Sequence, residues 1–436
     1  MSNQSDRWIA TARLLRCTGF GTTGRTVDAL VEQDVSAYLD RVLSADPDAD
    51  PGARATPMPP LVSVPAYPAA GAPRAAQDAW NKLVDDQMLE LSRWWLHRMV
   101  AVHEPIHEKL TLVWHNHFAT SATKVRYANY MGAQNMTLRS LKLGPFRDLA
   151  YAMLTGAAML VWLDGIDNVA SSPNENLSRE FMELFALGHG GGYTEADVKN
   201  GARALTGWMA DPHAESAIRP DEHDAGLKTV LGVTGALGAD QFCDVVLAHP
   251  SSEPYVAARL WQQLASDTMP SPDTLRRLRN AYAGGDLRAL TKAIVLDPEF
   301  ETVSSVVTPV DWLVGVLRTL SVRIENDEMA DPLLRILESL GQVPFYPPDV
   351  SGWPRGRVWV STGSVAVQAW AAGELAKRGD LAEIEEAAPS ERVDAVGYFI
   401  GVGAWSDRSA QVLRRCIHDP RQLFAAAVST PEYLTV

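Results

Sequence analysis

Cysteine is almost missing from this chain of 436 residues: the three present, Cys17, Cys243 and Cys416, are odd in number, far apart and in no C-x-x-C arrangement. That speaks against a disulfide framework and a thiolate zinc site, and each cysteine reads as a small buried apolar residue. Positive charge is in deficit too. Lys and Arg total 39 against 53 Asp and Glu, for a net charge of -14, and an acidic surface repels both phosphate backbones and anionic lipid. No nucleic-acid partner and no membrane span are expected. The longest apolar run, around 151–163, falls well short of the ~20 residues needed to cross a bilayer. The N-terminus, MSNQSDRWIATARLLRC, lacks the basic, apolar and small-residue regions of a secretory signal, so a cytoplasmic location is expected.

Period-two runs rich in Val, Ile and Thr are also scarce, whereas apolar residues recur at helical spacing through most of the chain. The expected fold is all-α, a multi-helix globular array with long Pro-rich and aromatic loops. Its expected organisation has three parts: 1–75, a helical pair and a Pro-rich loop; 76–235, a helical core; and 236–436, a helical region with an aromatic loop at 345–362. Helices are expected over 6–17, 26–43, 74–101, 105–118, 137–163, 173–187 and 195–209, then over 287–296 and 309–319 among others, with 211–235 irregular.

Three motifs tempt and fail on physical grounds. HEPIH, residues 103–107, matches the H-E-x-x-H of zinc proteases, which needs an unbroken helix to aim both imidazoles at one metal. Pro105 inside that helix would cost ~3 kcal/mol, and it suits the first helical position far better, leaving His103 outside. GFGTTG, residues 19–24, has the letters of a dinucleotide loop, but the preceding WIATARLLRCT is helical where a strand is required; a tight helix-to-helix connection is expected. HNH within WHNHF spells a nuclease class without the basic surface such enzymes need.

The stronger candidates lie elsewhere. On a helix starting at Pro105, the residues Ile106, Leu110, Val113, Trp114 and Phe118 form an apolar stripe that includes His117, while His115 is rotated by roughly 200° onto the opposite face with Glu108 and Thr111. In SSPNENLSREFMELFALGHGG, Ser172 can cap, Pro173 can open and Gly188 can close a helix. Glu180 and Glu183 then line up beside its apolar stripe. A carboxylate held against apolar groups has a raised pKa unless paired, which suits it to acid-base work or metal ligation; the bland alternative is an ion pair with an arginine such as Arg203. Thr194 and Asp197 can make a capping pair. His223 and Asp224 sit in an irregular segment. In FYPPDVSGWPRGRVWVST, Tyr346, Trp353 and Trp359 accompany Arg355, Arg357 and Asp349, and the loop either presents a binding surface or pins itself to the helices.

Seven segments in order, EKLTLVWHNHFATS, AMLVWLDGIDN, PNENLSREFMELFALG, GYTEADVKNGARALTGW, HDAGLKTVLG, YPPDVSGWPRGRVWVST and STPEYL, resemble a widespread bacterial family catalogued as domain of unknown function 1800. The resemblance implies no settled reaction, substrate or cofactor. It does imply relatives that look exported and are encoded beside an alkaline-phosphatase-like family, a pattern from which this chain departs in lacking a visible signal. It also departs at His107, where relatives look more often like Arg. The family-like segments carry His115, Asn116, His117, Asp164, Asn168, Asn174, Glu175, Asn176, Arg179, Glu180, Glu183, Arg203, His223 and Asp224 as a candidate constellation. The leading expectation is an acid-base or metal-assisted hydrolase acting on a small-molecule or polymer substrate. Glu180 would be base or ligand, His117 ligand or proton shuttle, and Glu183, His223 and Asp224 supporting groups, with His117 and Glu180 holding any divalent metal. The alternative is a non-catalytic scaffold that binds a protein partner through the loop around Trp353.

Overall fold

The structure, a computed structural model, describes residues 4–436. Helices begin where short polar side chains can satisfy backbone N–H groups left over in a first turn. Ser5, Asp34, Ser271, Asp286 and Thr308 each accept from one. Arg74–Ala101, Leu287–Leu296 and Pro309–Thr319 have the expected bounds, and Thr194 and Asp197 form a full capping box. None of the helices among the described residues is long and apolar enough to cross a membrane.

The fold is mostly helical rather than purely α. Among the described residues there are 24 α-helices and four three-residue strands. The strands form two antiparallel hairpins, Trp208–Ala210 with Ser216–Ile218 and Lys228–Val230 with Val233–Gly235. Three of the four lie in the stretch read as irregular, 211–235, because three residues are too few for an alternating pattern to register. The first hairpin also ends the helix expected over 195–209 early, as Glu195–Ala204. The helix expected over 26–43 is two, Gly24–Val31 and Val35–Ser44, since Asp34 caps the second by accepting from the Ala37 N–H at 2.7 Å.

A further correction concerns the segment expected as a helix over 173–187. Ser172 bridges to Val169 instead of capping, and the helix starts at Asn176. From Phe181 to Ala186 it widens into a π-helix, in which the Leu187 N–H donates to the Met182 carbonyl. Such widenings are rare and concentrate at functional positions. Gly188 closes it at φ 84, in the left-handed conformation. GFGTTG is the expected helix connection: Gly21, at φ 67, passes so close to Gly315 of the Pro309–Thr319 helix that a Cβ would sit 2.9 Å from the Gly315 Cα.

The helix Ile106–His117 is buried along its whole length. Pro105 immediately precedes it, as its ring requires. The helix lies between two hydrophobic cores. Leu112 belongs to one, with Trp95, Met99, Trp312 and Leu337; Ile106, Leu110, Val113, Trp114 and Phe118 belong to the other, with Phe146, Phe181, Phe185 and Trp261. A helix buried on every side must find partners for its polar residues. Glu108 accepts from Arg98 Nε at 2.8 Å, from Trp95 Nε1 at 3.1 Å, from Arg139 Nη2 at 2.9 Å and from Arg139 Nη1. Burial pushes its carboxyl up, but Arg139 and Arg98 together outweigh burial and hold it below the usual carboxylate range.

Removing one partner from a buried pair leaves uncompensated charge. Glu108→Gln should therefore lower the unfolding free energy by about 3–5 kcal/mol, read from the urea midpoint. Because the folded-state pKa lies below the unfolded one, Glu108's contribution is full above the unfolded value of about 4.3 and is lost as pH falls through the folded one. The gap between wild type and variant should close over that acid window.

Candidate functional site

Consecutive residues of WHNHF each hold a different remote segment against the central helix. Trp114 Nε1 donates to the Lys142 carbonyl at 3.0 Å. His115 Nε2 accepts from the Phe345 N–H at 3.3 Å. Asn116 Oδ1 accepts from the Trp353 N–H at 2.7 Å, and its Nδ2 donates to Gln263 Oε1 at 3.2 Å. His117 Nε2 donates to the Phe185 carbonyl at 3.0 Å. The rotation of His115 and His117 onto different faces is as expected. His115 sits among Trp95, Phe345 and Trp353, and His117 among Trp114, Phe118, Phe146 and Phe185.

Each of these bonds stabilises a segment that cannot hold itself. Phe345 has φ 72, a costly value for a bulky residue. His115 fixes its N–H, and its carbonyl accepts from Ala122 at 2.9 Å. Gly352 has φ 87, and any Cβ there would collide with Asn116 Oδ1. Phe185 lies in the last turn of the π-helix, where carbonyls lack a helical partner; His117 takes its carbonyl and Tyr255 Oη donates to that of Leu184 at 2.6 Å.

His117 is neutral. Burial lowers its pKa to about 3, assisted by Arg259 and Arg355 and opposed only by the Phe185 carbonyl. A carbonyl can only accept, so the proton is on Nε2, and Nδ1 is the one nitrogen with a free lone pair. Two guanidinium groups close enough to depress this pKa would also oppose a cation at that lone pair.

Glu180 is half-buried and its carboxyl is raised, first by burial and then by Glu183, with Arg179 and His189 opposing. The arginines that could have neutralised it are taken: Arg179 pairs with Glu175 and Glu195, and Arg203 Nε with Asp224 at 2.6 Å. Glu183 accepts from Tyr193 Oη at 3.0 Å and lies 2.6 Å from His189 Nδ1. Glu180 and Glu183 are thus brought together. His117 has a different set of neighbours and is not brought to them; Tyr255 feels Glu183 and the two arginines that act on His117.

His223 and Asp224 form a separate group. His223 Nδ1 is 2.9 Å from the Thr206 carbonyl, and the Asp224 N–H donates to Thr206 Oγ1 at 2.8 Å. Arg203 first, together with the Gly226 N–H and Lys228, outweighs burial and holds the Asp224 carboxyl below its ordinary value. Lys228, buried, donates to the Asp224 and Gly226 carbonyls. These contacts tie the loop to the Glu195–Ala204 helix.

His103 is exposed and precedes the central helix, whereas the His107 ring is buried against the Val42 carbonyl at 2.9 Å. The pair therefore does not share one helical face. Among the described residues, no group of three His, Cys, Asp or Glu side chains is placed to hold a metal ion. Trp353 is only 3% exposed and Trp359 8%, so both rings are packed into the fold, while Val358 and Val360 of the same loop are exposed. Sequence reasoning missed Tyr255 and Arg259, which stand in the Ser252–Leu264 helix without any motif around them.

A family model described as "Protein of unknown function (DUF1800)" matches residues 13–435. No curated protein and no solved structure matches the chain.

His115 and His117 are held at about 3, whereas an unfolded histidine titrates near about 6.5. The unfolded state binds more protons in between, so the stability they contribute is full above the unfolded value and is lost as pH falls towards the folded one. His117→Phe should flatten the fall of the urea midpoint with pH across this window. It should also cost about 1–3 kcal/mol at neutral pH by stranding the Phe185 carbonyl. An unchanged slope would show that His117 carries a proton in the folded protein.

Proposed function

The chain belongs to the DUF1800 family, a membership that names no reaction, and on that premise we propose that it is a hydrolase working by acid-base catalysis with Glu180 as the titrating group. The observation that carries this reading is that Glu180 is a half-buried carboxyl that makes no ion pair within 4.0 Å among the described residues, set beside Glu183. Its neighbour is fixed by Tyr193 and His189. A carboxyl whose pKa is raised by burial is a usual group for proton transfer to or from a substrate. Glu183, held by Tyr193 and His189, is the supporting group, and Glu180 transfers the proton. The substrate is a small molecule or a polymer end that reaches a partly open site. His117 supports the site by fixing the end of the π-helix, and His223 and Asp224 support it by holding the adjoining loop. The metal-assisted version is the weaker one, since His117 faces Arg259 and Arg355.

A non-catalytic reading is favoured by one observation: the polar residues of WHNHF are committed to holding other segments. In that case the polar constellation is a structural network, and Glu180 alone has no structural task.

Glu180→Gln separates the two. Against a panel of chromogenic esters, glycosides and phosphoesters, the variant should lose about 10²–10⁴-fold in turnover of whichever substrate the wild type cleaves. Its melting temperature should stay level or rise, because an unpaired carboxyl leaves a half-buried place. Full turnover with lost stability would sink the catalytic reading.

A further inference from the structure

A helix at the surface of a folded chain is normally apolar on one face and polar on the other. The helix Thr362–Leu375 is not. It carries no charged residue until Glu374. Its inner side, Gln368, Ala371, Ala372 and Leu375, is buried, and the helix packs against Asp327–Leu340 and Pro420–Ala427. Its outer side holds Thr362, Gly363, Ala366, Trp370 and Gly373, which share one face at ~100° per residue. Trp370 is 62% exposed, and the turn that enters the helix adds Val358 at 60% and Val360 at 46%. Apolar residues grouped in this way mark an interaction surface, whereas single ones do not. The two glycines have no cause within the chain. Neither has a positive φ, a Cβ at Gly363 would meet only Ser361 Oγ at 3.7 Å, and a Cβ at Gly373 would meet nothing within 4 Å. Glycine destabilises a helix relative to alanine, and nothing in the fold calls for it at these positions.

We infer that a second copy of this chain docks on this face, with two Thr362–Leu375 helices antiparallel across a two-fold axis between Ala366 and Val367. The face supplies both halves of such a contact. In that register Trp370 of each copy lies over Gly363 of the other, where the missing side chain lets the ring approach the helix closely. The same axis brings the end that carries Gly373 and Glu374 to the end that carries Val358, Val360 and Arg357. The charges at those ends are opposite. Glu374 is exposed, with Lys377 as its partner at 2.5 Å, and Arg357 is exposed and makes no ion pair within 4.0 Å among the described residues. A two-fold contact satisfies each relation twice, because what one copy offers the other receives. The ring provides the affinity and the end charges set the register. A chain of net charge -14 with a carboxylate on this face is a poor match for anionic lipid. This inference stands whether or not Glu180 transfers a proton.

Sedimentation velocity of the full chain over a range of concentrations tests this, and a reversible monomer–dimer equilibrium is expected. Trp370→Ala should weaken the dimer at least tenfold and leave the melting temperature of the dilute monomer unchanged, since the ring is exposed there. Gly363→Leu should also weaken it at least tenfold. That variant adds apolar surface while filling the hollow, so a merely adhesive surface would associate more strongly. Arg357→Glu should weaken the dimer severalfold, and adding Glu374→Arg should restore it, as the antiparallel register requires. A chain that stays monomeric at every concentration, a dimer unchanged by Trp370→Ala or strengthened by Gly363→Leu, or a charge swap that restores nothing would each overturn the inference. A monomer that instead binds another protein or phospholipid vesicles through Trp370 would overturn the second copy as occupant.

Discussion

A helix that is buried on every side cannot leave a polar side chain unanswered, and this constraint at Ile106–His117 organises the molecule. Seven of its residues are polar or charged and fully enclosed: His107, Glu108, Lys109, Thr111, His115, Asn116 and His117. Placing even one of them without a partner would consume a large share of a typical stability of 5–15 kcal/mol. The partners come from far along the chain. Arg98 and Arg139 answer Glu108, Asp311 answers Lys109 at 2.6 Å, Phe345 and Trp353 answer His115 and Asn116, and Phe185 answers His117. Each bond fixes the position of a segment as well as satisfying a group. Two hydrophobic cores that would otherwise be indifferent to register are thereby locked to one helix.

Where the network is complete, the residues have no chemistry left to offer; where it is incomplete, they do. His115 and Asn116 are spent on the aromatic loop, and Asp224 on Arg203. Among the described residues Glu180, beside Glu183, makes no ion pair, and Arg259 Nε and Arg355 Nη1 are buried nitrogens without a hydrogen-bond partner. Tyr255 has its hydroxyl on the Leu184 carbonyl and its ring against Gly188. The π-helix Phe181–Ala186 and the turn after it therefore carry Glu183 on one side and lean on His117 and Tyr255 on the other.

How much of this was legible in the sequence depends on how local its cause is. Pro105 announced the start of the central helix, because ring geometry acts within one turn, and it disposed of the HEPIH motif for the same reason. The opposed faces of His115 and His117 followed from helical rotation. The ion pairing of Glu108 escaped notice because its counter-ions lie 10 and 31 residues away, and periodicity does not reveal which arginines arrive. The hairpins at Trp208–Ile218 and Lys228–Gly235 were hidden by their brevity. Arg259 sits in an ordinary amphipathic helix, and that its Nε is buried without a partner among the described residues is a property of its surroundings alone.

The sequence by itself determined the mainly helical class, the bounds of Arg74–Ala101, Leu287–Leu296 and Pro309–Thr319, the left-handed closure at Gly188 and the family, since spacing, capping residues, glycine and contiguous motifs all act over a few residues. Only the tertiary structure decided which charges are neutralised. Glu180 reads the same as Glu183 on a helical projection; the difference is that the fold brings Tyr193 and His189 to Glu183. Electrostatic pairing in a low-dielectric interior is set by distances between remote segments. For that reason the WHNHF stretch, conspicuous for its histidines, proved to be the fold's fastening point, and the uncommitted charge lies in the segments it fastens.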